Sequence, residues 1–408
     1  MIQKIGKFIL VLSIIMLITP YFTIAKEVNF GDVVNSENVE EYEEYFPPFV
    51  VRFIKDGFGL VEPTTPIHVE DLEIPLPPKS FREASEKNKG KVTLNPENFE
   101  LAGFEYCGYP FPDVKEPNKI EKIMANYYYR WRTDDYYFRE PHLTASTQQR
   151  RGGRITKSYS KSALVRYIGR TAPGFKKNLN NPNELYWAQM NRFFQPAYRN
   201  LQTLQWRYID PVKDDDMWSY IPTLRRTLRM VSSERANPIN GSPLTYDDFM
   251  GFDGKLQQFT YNLVAEKKVI GNINYDEDLH YEKYPEGYYP YPVFHGPDYP
   301  YGLVDVYEIE VIPRDPKYPE SKKVLFMNKH NYWNVYTEVY DKRGEQWKGL
   351  ICNVSKVKTE KGEYGPYNSQ MDFDLKTGHW LQIITNKLVI DSGFPTELFD
   401  PAIFQTWP

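Results

Sequence analysis

The sequence predicts a mainly β protein with a few helices, and three observations carry that prediction. Leu204, Trp206 and Tyr208, then Trp218 and Tyr220, then Leu224, Arg226, Leu228 and Met230 recur at every second position. That is the period of pleated strands, which turn alternate side chains to opposite faces. A second alternating series begins at Leu303 and runs through several turns to Trp380. Finally, 16% of the residues are aromatic and 33 are Tyr, although the mean hydropathy is −0.60. Much of the apolar surface is therefore carried by rings with a polar tip, which suit a wall that is apolar on one side and hydrogen-bonded on the other.

The chain has 408 residues, with 50 Lys and Arg against 54 Asp and Glu. Such a balance gives no strong field towards nucleic acid or an anionic membrane. Residues 1–25 read as a signal peptide: Lys4 and Lys7 precede the apolar run Phe8–Ile18, and Thr23-Ile24-Ala25 offers small-residue cleavage after Ala25. That run is short for a spanning helix, and no Cys follows it to carry a lipid. The mature chain is expected to be exported, with no stable transmembrane span. Cys107 and Cys352 could pair in an oxidising compartment, but nothing in the sequence brings them together.

Residues 26–99 read as an acidic, Pro-rich arm. Its first part is a loose arm or an exposed helix, and Pro47-Pro48 and the prolines between Glu62 and Pro78 favour extended backbone. Pro110 and Pro112 fix a rigid corner. The clearest helix follows it: Ile120, Ile123, Met124, Tyr127, Tyr128 and Trp131 hold the i, i+3, i+4 spacing of one apolar face, with Glu116 and Glu121 near its start. Arg150 to Arg154 is a basic turn without P-loop spacing. Pro211 to Asp216 is a turn cluster. Thr245 and Asp248 suggest a capping box before a short helix that stops at Gly251. Residues 272–301 are rich in Tyr, Pro and acids and read as one long loop, either a lid or a surface crossover. Beyond it a β-meander is expected, with a turn at Lys329-His330-Asn331 and hairpins at Asp341–Gly344 and Asp372–Gly378.

Several of these blocks resemble a known family. The run DMWSYIPTLRRTLRM followed by DDFMGFDGKLQQFTYNLV, the GYPFP element near residue 110 and the strand ending in Tyr-Asp-x-x-Gly before Trp347 look like the periplasmic family catalogued as domain of unknown function 1329. The resemblance covers roughly residues 100 to 405. It departs at the closing hairpin, where His379-Trp380 replaces a basic residue and Tyr, and before Tyr307, where no basic residue stands. The family is placed beside the outer-membrane lipoprotein-sorting LolA/LolB-like superfamily. The resemblance therefore implies a strongly curved antiparallel sheet, a half-open β-barrel over residues 100–408 wrapped around a covering helix. It implies a periplasmic carrier or chaperone for a lipid, a lipoprotein acyl chain or another hydrophobic molecule, with a possible envelope transporter or outer-membrane protein as partner.

On this reading Trp206, Trp218, Tyr220, Tyr261, Tyr307, Trp333 and Trp347 are candidates for the cavity wall. Ile123, Met124, Tyr127 and Trp131 are candidates for the helix that plugs it. No catalytic residue, metal ligand or cofactor is expected. There is no Gly-x-Ser-x-Gly, no two His stand four apart, and the Asp214–Asp216 and Asp276–Asp278 clusters lack calcium-loop spacing. Two alternatives stay open: a carbohydrate-binding or carbohydrate-cleaving β protein, whose paired carboxylates the sequence would not reveal, and a structural envelope adaptor.

Overall fold

A computed structural model describes residues 26–57, 66–139, 141–147, 155–194, 199–275, 299–383 and 388–407. The expected signal peptide, the basic turn at 150–154 and the middle of the expected long loop lie outside these residues. Both ends of that loop are strand: Asn272 pairs with Tyr301 in adjoining strands.

Two short strands, β1 (Val33–Val34) and β2 (Ile67–Glu70), and a small hairpin, β3 (Thr93–Leu94) and β4 (Leu101–Ala102), precede the main series. That series comprises β5 (Asp135–Phe138), β6 (His142–Thr147), β7 (Ile155–Arg166), β8 (Leu185–Phe193), β9 (Gln202–Tyr208), β10 (Asp216–Ile221), β11 (Arg226–Met230) and β12 (Phe259–Tyr275). It continues with β13 (Tyr301–Pro313), β14 (Glu320–Asn328), β15 (Asn334–Asp341), β16 (Gln346–Lys358), β17 (Tyr364–Asp374), β18 (Trp380–Ile383) and β19 (Leu388–Ile390).

From the free edge at β11 the antiparallel order is β10, β9, β8, β7, β6, β18, β17, β16, β15, β14, β13, β12. β5 and β19 prolong β6 and β18 along the same track; they pair with each other, and β5 also pairs with β7. The sheet is strongly curved. At its far end β12 returns to pair in parallel with β16 through Ile273 and Val354, which closes β12 to β16 into a ring.

Among the described residues three α-helices accompany the sheet. α1 (Pro48–Asp56) starts with Pro at its first position, where no backbone donor is missed, and stops at Gly57 in the left-handed conformation. Phe49, Val50, Phe53 and Ile54 are buried, with Phe53 against Phe373 at 4.6 Å and Phe49 edge-on to Tyr336 at 6.3 Å. Residue 349 has to be Gly here, because a Cβ would stand 2.4 Å from the Phe49 ring. The first part of the arm, expected as a loose arm or an exposed helix, holds a 3₁₀ helix, Val39–Tyr45, with Val39 and Tyr42 buried, and Pro48 opens a helix where extended backbone was expected. The reason is that two prolines side by side fit a helix start as well as they fit an extended run.

α2 (Lys79–Asn88) carries Asn88, whose amide donates to the Cys107 and Tyr109 carbonyls. α3 (Lys119–Tyr128) is the predicted amphipathic helix, shorter than its apolar spacing suggested. Trp131 lies past its end in irregular backbone, although it is fully buried. Asn126 on α3 holds the Pro110–Pro112 corner by bonding both the N–H and the C=O of Phe111, at 2.9 and 2.7 Å.

Cores lie on both faces of the sheet. On the inner face, α3 packs with Leu325, Met327, Trp333, Phe252 and Phe259. The opposite face of β13 to β17 packs against α1, and the opposite face of β7 to β9 is covered by the C-terminal residues Phe399, Phe404 and Trp407. Cys107 and Cys352 are both free thiols. No helix among the described residues is long and apolar enough to cross a membrane.

Candidate functional site

The inner face is filled by two elements, α3 and the irregular segment Thr245–Gln258. The second was expected to be a short helix. It is two 3₁₀ turns, Tyr246–Gly251 and Leu256–Gln258, broken where Met250 takes φ 57°. Of the expected capping box, the Asp248 half is made: the Thr245 N–H donates to its carboxylate at 3.3 Å. Gly251 has φ 85°, and a Cβ there would meet the Asn334 amide at 2.5 Å, so the backbone itself presses on the sheet. The Tyr127 hydroxyl donates to the Phe252 carbonyl, which joins α3 to this segment.

Buried ions clamp the segment to both walls. On one side Asp253 accepts from Arg132 at 2.6 Å and from Arg207 of β9 at 3.1 Å. Arg207 also bonds Asp215 at 2.8 Å, and Arg235 links Asp215 at 3.0 Å to Asp247 at 2.8 Å. Burial works to raise the Asp215 pKa, yet Arg207, Arg235 and Lys255 outweigh it and hold the carboxyl well below its usual range. Lys255 itself is pushed down to about 8, by burial first, with Asp215 opposing. On the other side Asp248 bonds Lys323 of β14 and, at 2.9 Å, Lys348 of β16. Burial raises and the two lysines lower its pKa, and the lysines win. Gln370 of β17 donates both to the Asp248 carbonyl at 2.9 Å and to Asp372 at 2.7 Å. Asp372 has no close cation. Burial, then the Asp248 charge, pushes it up to about 8, so it is largely protonated at neutral pH.

The proposed wall residues fall into four places. Trp206 is half-buried, edge-on to Trp218 at 5.0 Å, with its indole N–H donated to the Phe399 carbonyl at 2.8 Å. Trp206, Trp218 and Tyr220 pack on the face away from Arg207, under the C-terminal segment. Tyr261 and Tyr307 border the inner core; the Tyr261 hydroxyl donates to the Leu256 carbonyl at 2.8 Å, and Lys329 lies over the Tyr307 ring. Trp333 is wholly buried under the Arg130 guanidinium. Trp347 lies apart from these, bonded to Asp374 at 3.1 Å. Ile123, Met124, Tyr127 and Trp131 are all buried in the inner core. The structure thus does not bring the candidates into one cavity.

It does form a cleft the sequence did not announce. About 670 Å³ opens between the β3–β4 hairpin and the chain at Glu184 and Ile209–Pro211. Leu94, Phe99, Leu101, Ile209 and the rings of Tyr106 and Tyr129 give it apolar walls, with Glu100, Glu184 and Asp210 also on the lining. The hairpin is held by pairing of Thr93 with Ala102 and Leu94 with Leu101. Glu184 and Ile209 are joined by a backbone bond of 2.9 Å. No stretch of sequence carried this signal, because the cleft assembles residues from four separated segments. Among the described residues no group of three or more His, Cys, Asp or Glu is placed to hold a metal ion.

A curved antiparallel sheet wrapped around a helix and a buried ionic clamp defines the class of fold. The chain belongs to the family described as Protein of unknown function (DUF1329), whose profile matches residues 33–392. The match takes in the N-terminal layer that the sequence resemblance, starting near residue 100, left out. None of the curated proteins matches the chain. Among solved structures, it is similar to a domain from Vibrio parahaemolyticus named for outer membrane lipoprotein sorting, with 16% identity, TM-score 0.49, and 70% of this chain and 97% of that one covered. A DUF1329 family protein from Desulfovibrio piger gives 18% identity and TM-score 0.45 over 66% and 90% of the two chains. A LolA superfamily protein from Nitrosomonas europaea gives 12%, 0.40, 66% and 92%.

Proposed function

We propose that the protein is an exported, periplasmic binding or carrier protein for a lipid, a lipoprotein acyl chain or another hydrophobic molecule, and that it performs no chemistry on its cargo. The observation that carries the reading is the cleft. Its volume falls within the roughly 300–1,000 Å³ of small-molecule sites, and eight of the thirteen residues that line it are apolar or aromatic, beside polar and acidic ones. The inner face of the sheet is already occupied, so the cargo is assigned to the cleft beside the end of α3. Burial of an alkyl chain contributes about 0.8 kcal/mol per methylene.

The test is a titration with straight-chain alcohols of increasing length beside a panel of oligosaccharides. Affinity should rise ~4-fold per methylene, with no sugar bound. Ala102 is exposed on the cleft wall, so Ala102→Trp should fill the space and weaken alcohol binding without lowering the Tm. Binding of a sugar, with none of the alkyl series, would make the carbohydrate reading the better one. Native mass spectrometry of protein from its own host should show retained lipid, and N-terminal sequencing of the mature form should begin at Lys26.

A further inference from the structure

We infer that the cleft selects an amphiphile with a cationic head group, an alkylammonium or aminolipid-like ligand, over one with a carboxylate or phosphate head. This rests on the proposal that the cleft is the binding site.

Three observations support the inference. First, the lining holds Glu100, Glu184 and Asp210, and no Lys, Arg or His among the described residues. An anionic head would enter without a partner and against like charge; a cationic head would find three acceptors.

Second, these carboxylates are not used up. Each is exposed, and none makes an ion pair among the described residues. The Asp210 carboxylate accepts only the Val212 N–H at 2.8 Å, which leaves one oxygen free; Lys255 reaches the Asp210 backbone carbonyl instead, at 3.5 Å.

Third, the floor carries an unused polar group. Tyr129 is only 5% exposed and lines the cleft, yet its hydroxyl makes no hydrogen bond within the described residues; nor does that of half-buried Tyr106. Both hydroxyls are left for a ligand or water to partner. The two rings also present π faces, which attract a cation. The Asp210 charge reaches Tyr106: burial, then Tyr186 and Asp210, raises the Tyr106 pKa.

The experiment compares dodecylammonium, dodecanol and dodecanoate on the whole protein by calorimetry. The ammonium should bind at least about tenfold more tightly than the carboxylate, and the gap should shrink with added salt because these charges are exposed. Replacing all three, Glu100→Gln with Glu184→Gln and Asp210→Asn, should abolish the gap between the two charged heads; Asn keeps the acceptor for Val212. If dodecanol binds but the two charged heads do not differ, the head-group inference fails and the carrier reading stands. If none of the three binds, both fail. A gap that survives in this triple variant also overturns the inference, since the charge would then lie elsewhere.

Discussion

Trp206 and Trp218 show what a single residue's position can settle. Alternation put both rings on one face of β9 and β10, and they share it. It could not say which face turns inward. That was decided by Arg207, whose guanidinium meets Asp253 on the plug side and leaves Trp206 on the other. Trp218→Ala should therefore lower stability by less than the about 3–5 kcal/mol of a fully buried Trp, since Trp218 is half-buried. It should leave binding of a fluorescent acyl probe in the cleft intact; a folded variant that loses the probe would move the site to this face. Asp372 gives a second prediction. Its proton leaves near 3.8 in the ordinary carboxyl and near 8 in the folded protein. Between those values the folded state holds a proton that the unfolded state has lost. Stability is thus fully present below about pH 4 and falls as pH rises towards 8. Asp372→Asn should flatten that fall, measured as the urea midpoint at about pH 5 and pH 8; an unchanged slope would assign the dependence to another group.

Among the elements, the plug segment was the least legible. Asp248 was recognised as a helix cap, which it partly is, but its main partners Lys323 and Lys348 lie 75 and 100 residues away. Asp215 lies in the turn that Pro211 to Asp216 announced and is also the buried centre of an ionic network, which the sequence did not mark because three consecutive acids look alike until the fold decides which one is covered. The meander from β13 to β18 was legible throughout, since alternation and hairpin residues are local signals. Asp248→Asn should destabilise the protein by about 3–5 kcal/mol, the cost of leaving buried cations without their partner. Hydrogen exchange should quicken first at Tyr246–Gln258 and only later in β7 to β9. Uniform quickening over the sheet would show that the clamp holds the whole fold rather than this segment.

Across the whole molecule, the β-rich class and the curved sheet followed from strand period and family resemblance together, whereas the N-terminal layer did not. Its prolines and acids hide Phe49 and Phe53, and nothing in residues 26–57 announces that β1 and β2 will join the sheet through β13. The cleft was invisible for the same reason: its walls come from parts of the chain that only the finished fold brings together.

The pairing of β19 with β5 has a consequence in time. Asp135, the first residue of β5, accepts from the N–H groups of Ser392 and Gly393, and Asp391 accepts from that of Asp134. These contacts close a loop of more than two hundred and fifty residues. A chain with so many distant pairings is expected to fold slowly, in the millisecond-to-second range or beyond, and the clasp cannot form until residues 391–393 have been made. During synthesis the polypeptide therefore stays open to other binders until that segment arrives.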